Sequence, residues 1–250
     1  MPASSRIRSD RVDAGEVEKF GELARSWWDP GGPMRPLHLL NPCRVGWVRD
    51  RLCDHYRRDK ASLAPLDGLE VLDVGSGGGL LAEPMARLGA RVTGLDPTAE
   101  LVEVARWHAA QTGVNVDYQL GETGSLVGAG CKFDAVLALE VIEHVPDPAA
   151  FLGDVAALTR PGGIALLATV SRTWRSWAFA ILGAEYALRW LPPGTHDWQR
   201  FLRPSEIGQL LRRVGLRPVA LTGVGYDAAR IEFRTVRDTS VNYMLAAARD

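Results

Sequence analysis

The 250-residue sequence predicts an α/β fold: one mostly parallel sheet of seven strands, the last antiparallel, with helices on both faces and an N-terminal helical extension. Three observations predict it. The stretch Leu69-Glu-Val-Leu-Asp-Val-Gly-Ser-Gly-Gly-Gly-Leu80 is an apolar strand that runs into a glycine-rich turn and then a helix. From Leu69 onward, strand-like and helix-like stretches alternate with short connections, the pattern of a parallel sheet covered on both faces. The last two strand-like stretches, about 217–223 and 240–248, are joined by Gly225 to Asp238 with no helical pattern, so they read as an antiparallel hairpin at one edge.

Each element has its own justification. Residues 1 to about 12 read as disordered, and Ala14 to Trp27 has helical spacing through Val17, Phe20, Leu23, Ala24 and Trp27. Asp13 followed by Glu16 resembles a capping box at its start. Trp27 to His38 holds too many prolines and glycines for regular structure but keeps two tryptophans and a histidine. Such a loop either caps the core or closes over an aromatic substrate. Cys43 to Lys60 reads as a helix with Val45, Val48, Leu52 and Tyr56 inward and Arg44 near its start. The remaining strands fall at about 69–75, 91–96, 115–120, 133–139 and 163–170, the helices at about 80–88, 98–113, 148–159 and 204–214. Residues 1–62 thus form an extension and cap, and 63–250 the domain proper, with an insertion at 171–198.

Composition narrows the function. At 46% hydrophobic the chain can bury one full-sized core, so one domain with an extension fits better than two. A net charge of −1, with Lys scarce beside Arg, gives no electrostatic footprint for nucleic acid. Cys43, Cys53 and Cys131 are odd in number and scattered, which points to reduced thiols in a cytosol-like compartment. No run of about 18 apolar residues exists to span a bilayer, and Met1 to Asp10 lacks the apolar core of a secretory signal.

A glycine-rich turn after a strand presents bare N–H groups, and two ligand classes use it: a dinucleotide, or S-adenosylmethionine lying over the glycines. The dinucleotide fingerprint wants Gly or Ala at position 80, which is Leu80; the pattern here is D-x-G-x-G-G-G, starting at Asp73. The second strand, Ala90 to Asp96, ends in an acid about 20 residues past the turn, where either class binds a ribose diol.

The chemical centre is Phe133 to Pro148. Glu140, Glu143 and His144 follow the strand end at i, i+3 and i+4, so a single helical turn would point all three the same way. Two carboxylates and an imidazole can hold a divalent cation or serve as a general base. They can also simply bind backbone and pack near a cofactor. His196, beside Asp197, is either a second base or a histidine tying down the turn after Pro192-Pro-Gly194. Ser171 to Leu191 is apolar and rich in tryptophan, with Arg172, Arg175 and Arg189 at its ends, which suits either a lipid interface or a lid over the active site.

Val71 to Gly79, Gly94-Leu-Asp-Pro97, Leu139 to Pro148 and Pro161-Gly-Gly163 resemble the motifs of class I S-adenosylmethionine-dependent methyltransferases, with their Rossmann-like seven-stranded sheet. Trp27-Trp-Asp29, Leu37-His38, Asn41-Pro-Cys-Arg44, Gly183-Ala-Glu-Tyr186, Gly194-Thr-His-Asp197 and Val241-Asn-Tyr-Met244 narrow the resemblance to the ubiquinone-biosynthesis O-methyltransferase family, from about residue 14 to the C-terminus. The resemblance implies S-adenosylmethionine as cofactor, contacted by Arg44, Gly75, Asp96 and Leu139, to which Asp73, Gly77 and Glu122 are added. It also implies a divalent metal such as Mg on Glu140, Glu143 and His144, as in the family's eukaryotic members. Ser76, where a cysteine is common, and Pro97-Thr98 are departures that remove no required group.

The implied substrate is a polyprenyl catechol or hydroquinone, methylated on a phenolic oxygen. Implied partners are other ubiquinone-biosynthesis enzymes and a membrane surface met through 172–191. The expected location is cytoplasmic, peripheral to the inner membrane, or on the matrix side in a mitochondrion. Two other readings stay open: a methyltransferase for another small phenolic or carboxylic acceptor, and a non-catalytic cofactor-binding scaffold.

Overall fold

The computed structural model describes residues 13, 15, 17, 21, 23–173 and 200–250. His196 and most of the tryptophan-rich insertion lie outside the described residues. In chain order the elements are α1 (Arg35–Tyr56), β1 (Glu70–Val74), α2 (Ala82–Arg87), β2 (Arg91–Asp96), α3 (Ala99–Thr112), β3 (Asp117–Leu120), α4 (Thr123–Gly128), β4 (Phe133–Leu139), α5 (Pro148–Leu158), β5 (Thr159–Val170), α6 (Pro204–Arg213), β6 (Leu216–Asp227), β7 (Glu232–Val236) and β8 (Asn242–Arg249). Before α1, Gly15, Val17, Gly21 and Leu23 are helical, and Ala24–Ser26 closes that stretch as a 3₁₀ turn.

The strands form one sheet in the order β3-β2-β1-β4-β5-β8-β6-β7. β1 to β5 pair in parallel, whereas β8 runs antiparallel between β5 and β6. The antiparallel closing strand is as expected, but the sheet has eight strands where seven were predicted. The extra one is β7, inside the stretch read as a plain connection; it pairs antiparallel with β6 from Gly223↔Val236 to Asp227↔Glu232 and takes the edge. Its only inward aromatic is Phe233, which packs on Tyr226 with ring centres 5.1 Å apart. Four of its five residues are polar or β-branched on an edge, so no alternation of apolar residues announces it.

Two apolar layers sandwich the sheet. On one face Val71, Leu137, Leu166 and Met244 meet Leu40, Val48 and Leu52 of α1, Met85 of α2 and Ala105 of α3. On the other, Leu72, Val136, Leu167 and Leu245 meet Leu152 and Val155 of α5 and Ile207 and Leu211 of α6. Burial on both faces explains why the central strands read as nearly continuous apolar runs.

α1 departs most from expectation: it starts at Arg35, eight residues ahead of the predicted Cys43, and ends at Tyr56, where Arg57 closes it in the left-handed region at φ 53°. Pro36 stands in the first turn, where no N–H is needed, and Pro42 is accommodated inside the helix. Tertiary anchoring outweighs that lost bond. Asn41 Nδ2 donates to Leu80 O at 2.5 Å near the glycine-rich turn. At the far end Tyr56 Oη donates to Asp134 O at 2.8 Å, and His55 Nε2 lies 2.8 Å from Gly162 O. The helix therefore spans the sheet from the turn to the opposite end of the strands.

No helix among the described residues is long and apolar enough to cross a membrane. Leu52, fully buried towards the C-terminal end of α1, ties this helix to the sheet. Leu52→Ala should lower unfolding stability by about 2–5 kcal/mol in denaturant titration.

Candidate active site

The carboxyl ends of β1, β2 and β4 converge on the glycine-rich turn. Gly75 and Ser76 donate their N–H groups to Leu95 O at 2.8 and 3.1 Å, stitching the turn to β2. The Asp96 carboxylate, at the end of β2, accepts from Gly77 N at 2.8 Å and from Thr98 N at 2.9 Å. Both oxygens thus hold backbone. Burial raises the pKa of Asp96, and these two N–H groups oppose that rise.

The glycines face side chains as well as open space. A Cβ on Gly75 would come within 2.6 Å of Val141 Cγ2, and one on Gly77 within 2.5 Å of Trp27 Cζ2; one on Gly78 would overlap Trp27 Cδ1. The indole of Trp27 therefore lies against Gly77 and Gly78. His38 Nε2 sits 2.8 Å from Trp27 O, and Trp28 Nε1 donates to Gly78 O at 2.8 Å. Trp27, Met34, Leu80 and Leu101 form a small third core. Of the two readings of the tryptophan loop, the structure has the cap, and α1 absorbs its last residues, Arg35 to His38.

Around this turn several buried polar atoms have no hydrogen-bond partner: Trp27 Nε1, Asn41 Oδ1, Arg44 Nε and Nη2, Asp73 Oδ2 and Ser76 Oγ. Arg44 Nη2 comes within 3.4 Å of Glu140 Oε1 without making a hydrogen bond. Buried polar groups are ordinarily satisfied, so donors and acceptors left open together mark a place for a polar ligand. Asp73 is the most perturbed member: burial first, then the charge of Asp96, push its carboxyl up to about 7, against the pull of Arg44 and the Ala82 N–H.

At the end of β4 the chain does not make the helical turn that the i, i+3, i+4 spacing requires. Glu140 is in the left-handed region at φ 58°, which reverses the backbone there. Its side chain turns to Arg44, whereas Glu143 turns inward, 5% exposed, and accepts from Thr169 Oγ1 at 2.9 Å. Burial, then the Glu140 charge, raise the Glu143 pKa. Among the described residues no three His, Cys, Asp or Glu groups are placed to hold a metal ion. The expected common aim of Glu140, Glu143 and His144 is therefore corrected, and this arrangement does not fit a divalent ion.

The other expected residues are spread around the same end of the sheet. Leu139 is the last residue of β4, and Glu122 precedes α4, next to Gly121, whose N–H donates to Asp96 O at 3.0 Å. Arg172, expected to present its charge to lipid, is paired with Glu206. Sequence reasoning anticipated the Trp27 loop as a cap and missed Asn41, whose Oδ1 is left open beside the turn. The dipeptide Trp27-Trp28 before a proline-rich loop was the signal for the cap.

A family model described as a methyltransferase domain matches residues 46–221. The chain is 50% identical over 238 residues, 95% of its own length and 96% of the relative's, to the ubiquinone biosynthesis O-methyltransferase of Methylobacterium sp. (strain 4-46). It is 44% identical to the protein of the same name from Bartonella tribocorum, over 95% of this chain and 96% of that one. Among solved structures, magnesium protoporphyrin IX methyltransferase from Synechocystis PCC 6803 with bound SAH superposes with a TM-score of 0.66 at 20% identity, covering 93% of this chain and 95% of that one. A SAM-dependent methyltransferase from Thermotoga maritima gives 0.62 at 15% identity, covering 94% and 99%. Fold and glycine-rich turn are those of a class I methyltransferase. Within that class, the chain belongs to the ubiquinone biosynthesis O-methyltransferases.

The raised Asp73 pKa has a stability signature. Between about pH 4 and 7 the folded protein keeps a proton on Asp73 that the unfolded chain has lost, so this group's contribution to stability falls as pH rises through that window. Asp73→Asn removes the ionisation. The melting temperature of the ligand-free variant relative to wild type should rise from pH 5 to pH 8, and a constant difference would contradict the assignment.

Proposed function

We propose that the protein transfers a methyl group from S-adenosylmethionine to a phenolic oxygen of a polyprenylated catechol or hydroquinone in ubiquinone biosynthesis. The observation that carries the reading is the set of unpartnered buried donors and acceptors around the turn, in a chain of this family. The bound cofactor supplies an electrophilic methyl on a sulfonium. Every other part is played by side chains and backbone of this chain.

Arg44, with two open donor positions, receives the cofactor's carboxylate. Asp73 and Asn41, with open acceptor oxygens, receive its ammonium. Asp96, whose contacts with the Gly77 and Thr98 donors shape the turn, offers its remaining acceptor capacity to the ribose hydroxyls. Gly75 and Gly77 present backbone at close range, and Leu139 and Glu122 complete the wall. Neutral phenols, with pKa near 10, are poor nucleophiles at pH 7, so proton removal and alignment share the catalysis. His144, next to buried Glu143, takes the phenolic proton. Glu140 is turned to Arg44 and Glu143 to Thr169, so the proton's route is assigned to side chains, with no step through an ion. His196 remains a second candidate base.

The acceptor's prenyl tail gives the tryptophan- and arginine-rich insertion its purpose: 172–191 lies on the lipid surface and receives substrate there, peripheral to the membrane and beside other enzymes of the pathway.

Labelled methyl transfer to a polyprenyl catechol tests the reading, and faster transfer to short soluble phenols or acids would favour a different acceptor. Alanine at Glu143 and at His144 should each lower kcat by roughly a hundredfold or more while leaving S-adenosylhomocysteine affinity within about threefold. Unchanged function in both variants would instead indicate a scaffold.

A further inference from the structure

A side-chain path leaves the glycine-rich turn at Gly78 and returns to it at Gly79. Trp28 Nε1 donates to Gly78 O at 2.8 Å. The Trp28 ring stacks on His108 of α3, with centroids 3.4 Å apart and planes within 5°. His108 Nδ1 lies 2.6 Å from Glu83 Oε1; a carboxylate only accepts, so Nδ1 carries the proton. Glu83, in α2 directly behind the turn, donates its own N–H to Gly79 O at 3.1 Å. The loop is closed.

Glu83 is unusually placed for a merely structural residue. Its side chain is 2% exposed, and beyond His108 it draws Thr112 Oγ1 at 3.2 Å and Arg87 Nη2 at 3.5 Å. A buried carboxylate is unfavourable without such partners, and an apolar residue would fill the space at least as well. What the carboxylate adds is direction. It sets the tautomer and plane of His108, and the plane of His108 sets that of Trp28. Trp28 is covalently next to Trp27, whose indole lies against Gly77 and Gly78.

We propose that Glu83 and His108 are positioning residues for the cofactor: through the Trp28 stack they hold the N-terminal cap, with Trp27, against the glycine-rich turn, so that this wall of the cleft is in place before the ligand arrives. The inference rests on the turn being the S-adenosylmethionine site. The pair acts through Trp28, so its effect falls on cofactor binding and not on the methyl-transfer step.

The test is a double-mutant cycle on the full-length chain, read by calorimetric titration with S-adenosylhomocysteine and by steady-state kinetics. His108→Ala removes the stacking partner, and Trp28→Phe keeps a ring but loses the N–H to Gly78 O. Each should weaken S-adenosylhomocysteine about tenfold and raise KM for S-adenosylmethionine similarly, with kcat and the acceptor's KM within about twofold. Because the stack on His108 and the N–H to Gly78 O act in series on the placement of Trp28, the double variant should bind close to the weaker single variant rather than about a hundredfold worse. Loss of packing alone would lower the folded, active fraction and leave the affinity of that fraction unchanged. Wild-type affinity in either single variant, or multiplying effects in the double, overturns the inference. Should His108→Ala not fold, Trp28→Phe and Glu83→Gln decide the matter by the same titration. Wild-type protein that takes up no S-adenosylhomocysteine would sink the cofactor reading itself, whereas variants that match a binding wild type sink only the positioning role.

Discussion

One carboxylate holds the cleft in shape. Asp96 accepts the Gly77 N–H from beside the neighbouring strand and the Thr98 N–H at the head of α3, so the turn after β1 and the helix after β2 are fixed to the same group. Burying an acid is unfavourable, and here backbone donors offset that penalty. The dependence spreads outward. α3 carries Leu101 under Trp27 and His108 beside Trp28, so the place of the N-terminal cap follows from where α3 begins.

Charge in the site is deliberately unbalanced. Asp73, Asp96, Glu140 and Glu143 gather at the ends of β1, β2 and β4, with Arg44 as the guanidinium among them. Asp73 and Glu143 respond by shifting towards their neutral forms, as buried acids with acidic neighbours do. A ligand that brings an ammonium and a sulfonium relieves that repulsion, while its carboxylate meets the open donors of Arg44. The same wall gives an anionic dinucleotide far less, since a pyrophosphate would add charge of the sign already in excess. Electrostatics therefore agrees with the choice that the Leu80 position makes in the turn motif.

Much of this was legible in residue order because it is local. The apolar strand before Gly75, the acid ending β2 and the alternation of strands and helices are short-range patterns, and the structure reproduces the central strands within a few residues. The failures share a cause. α1 begins eight residues earlier than expected because Pro36 suits a first helical turn and Asn41 anchors this end to Leu80, distant in sequence. β7 escaped notice because an edge strand need bury only one face, and its inward aromatic, Phe233, has no apolar companion at period two within the strand, Ile231 lying exposed just ahead of it. Glu140, Glu143 and His144 were expected to face one way, but a left-handed residue at Glu140 breaks the helical geometry on which that inference depended.

By itself, then, the sequence determined the α/β class, the parallel core with its antiparallel return, the glycine-rich turn and the acids that flank it, because backbone preference and hydrophobic period act over a few residues at a time. Only the tertiary structure decided that Trp27 closes the turn, that Arg44 and Asp73 are left with open valences beside it, and that Glu140 turns to Arg44 while Glu143 turns to Thr169. Those outcomes depend on which atoms meet across separations of tens of residues, where burial and unsatisfied hydrogen bonds, not local propensity, set the free energy.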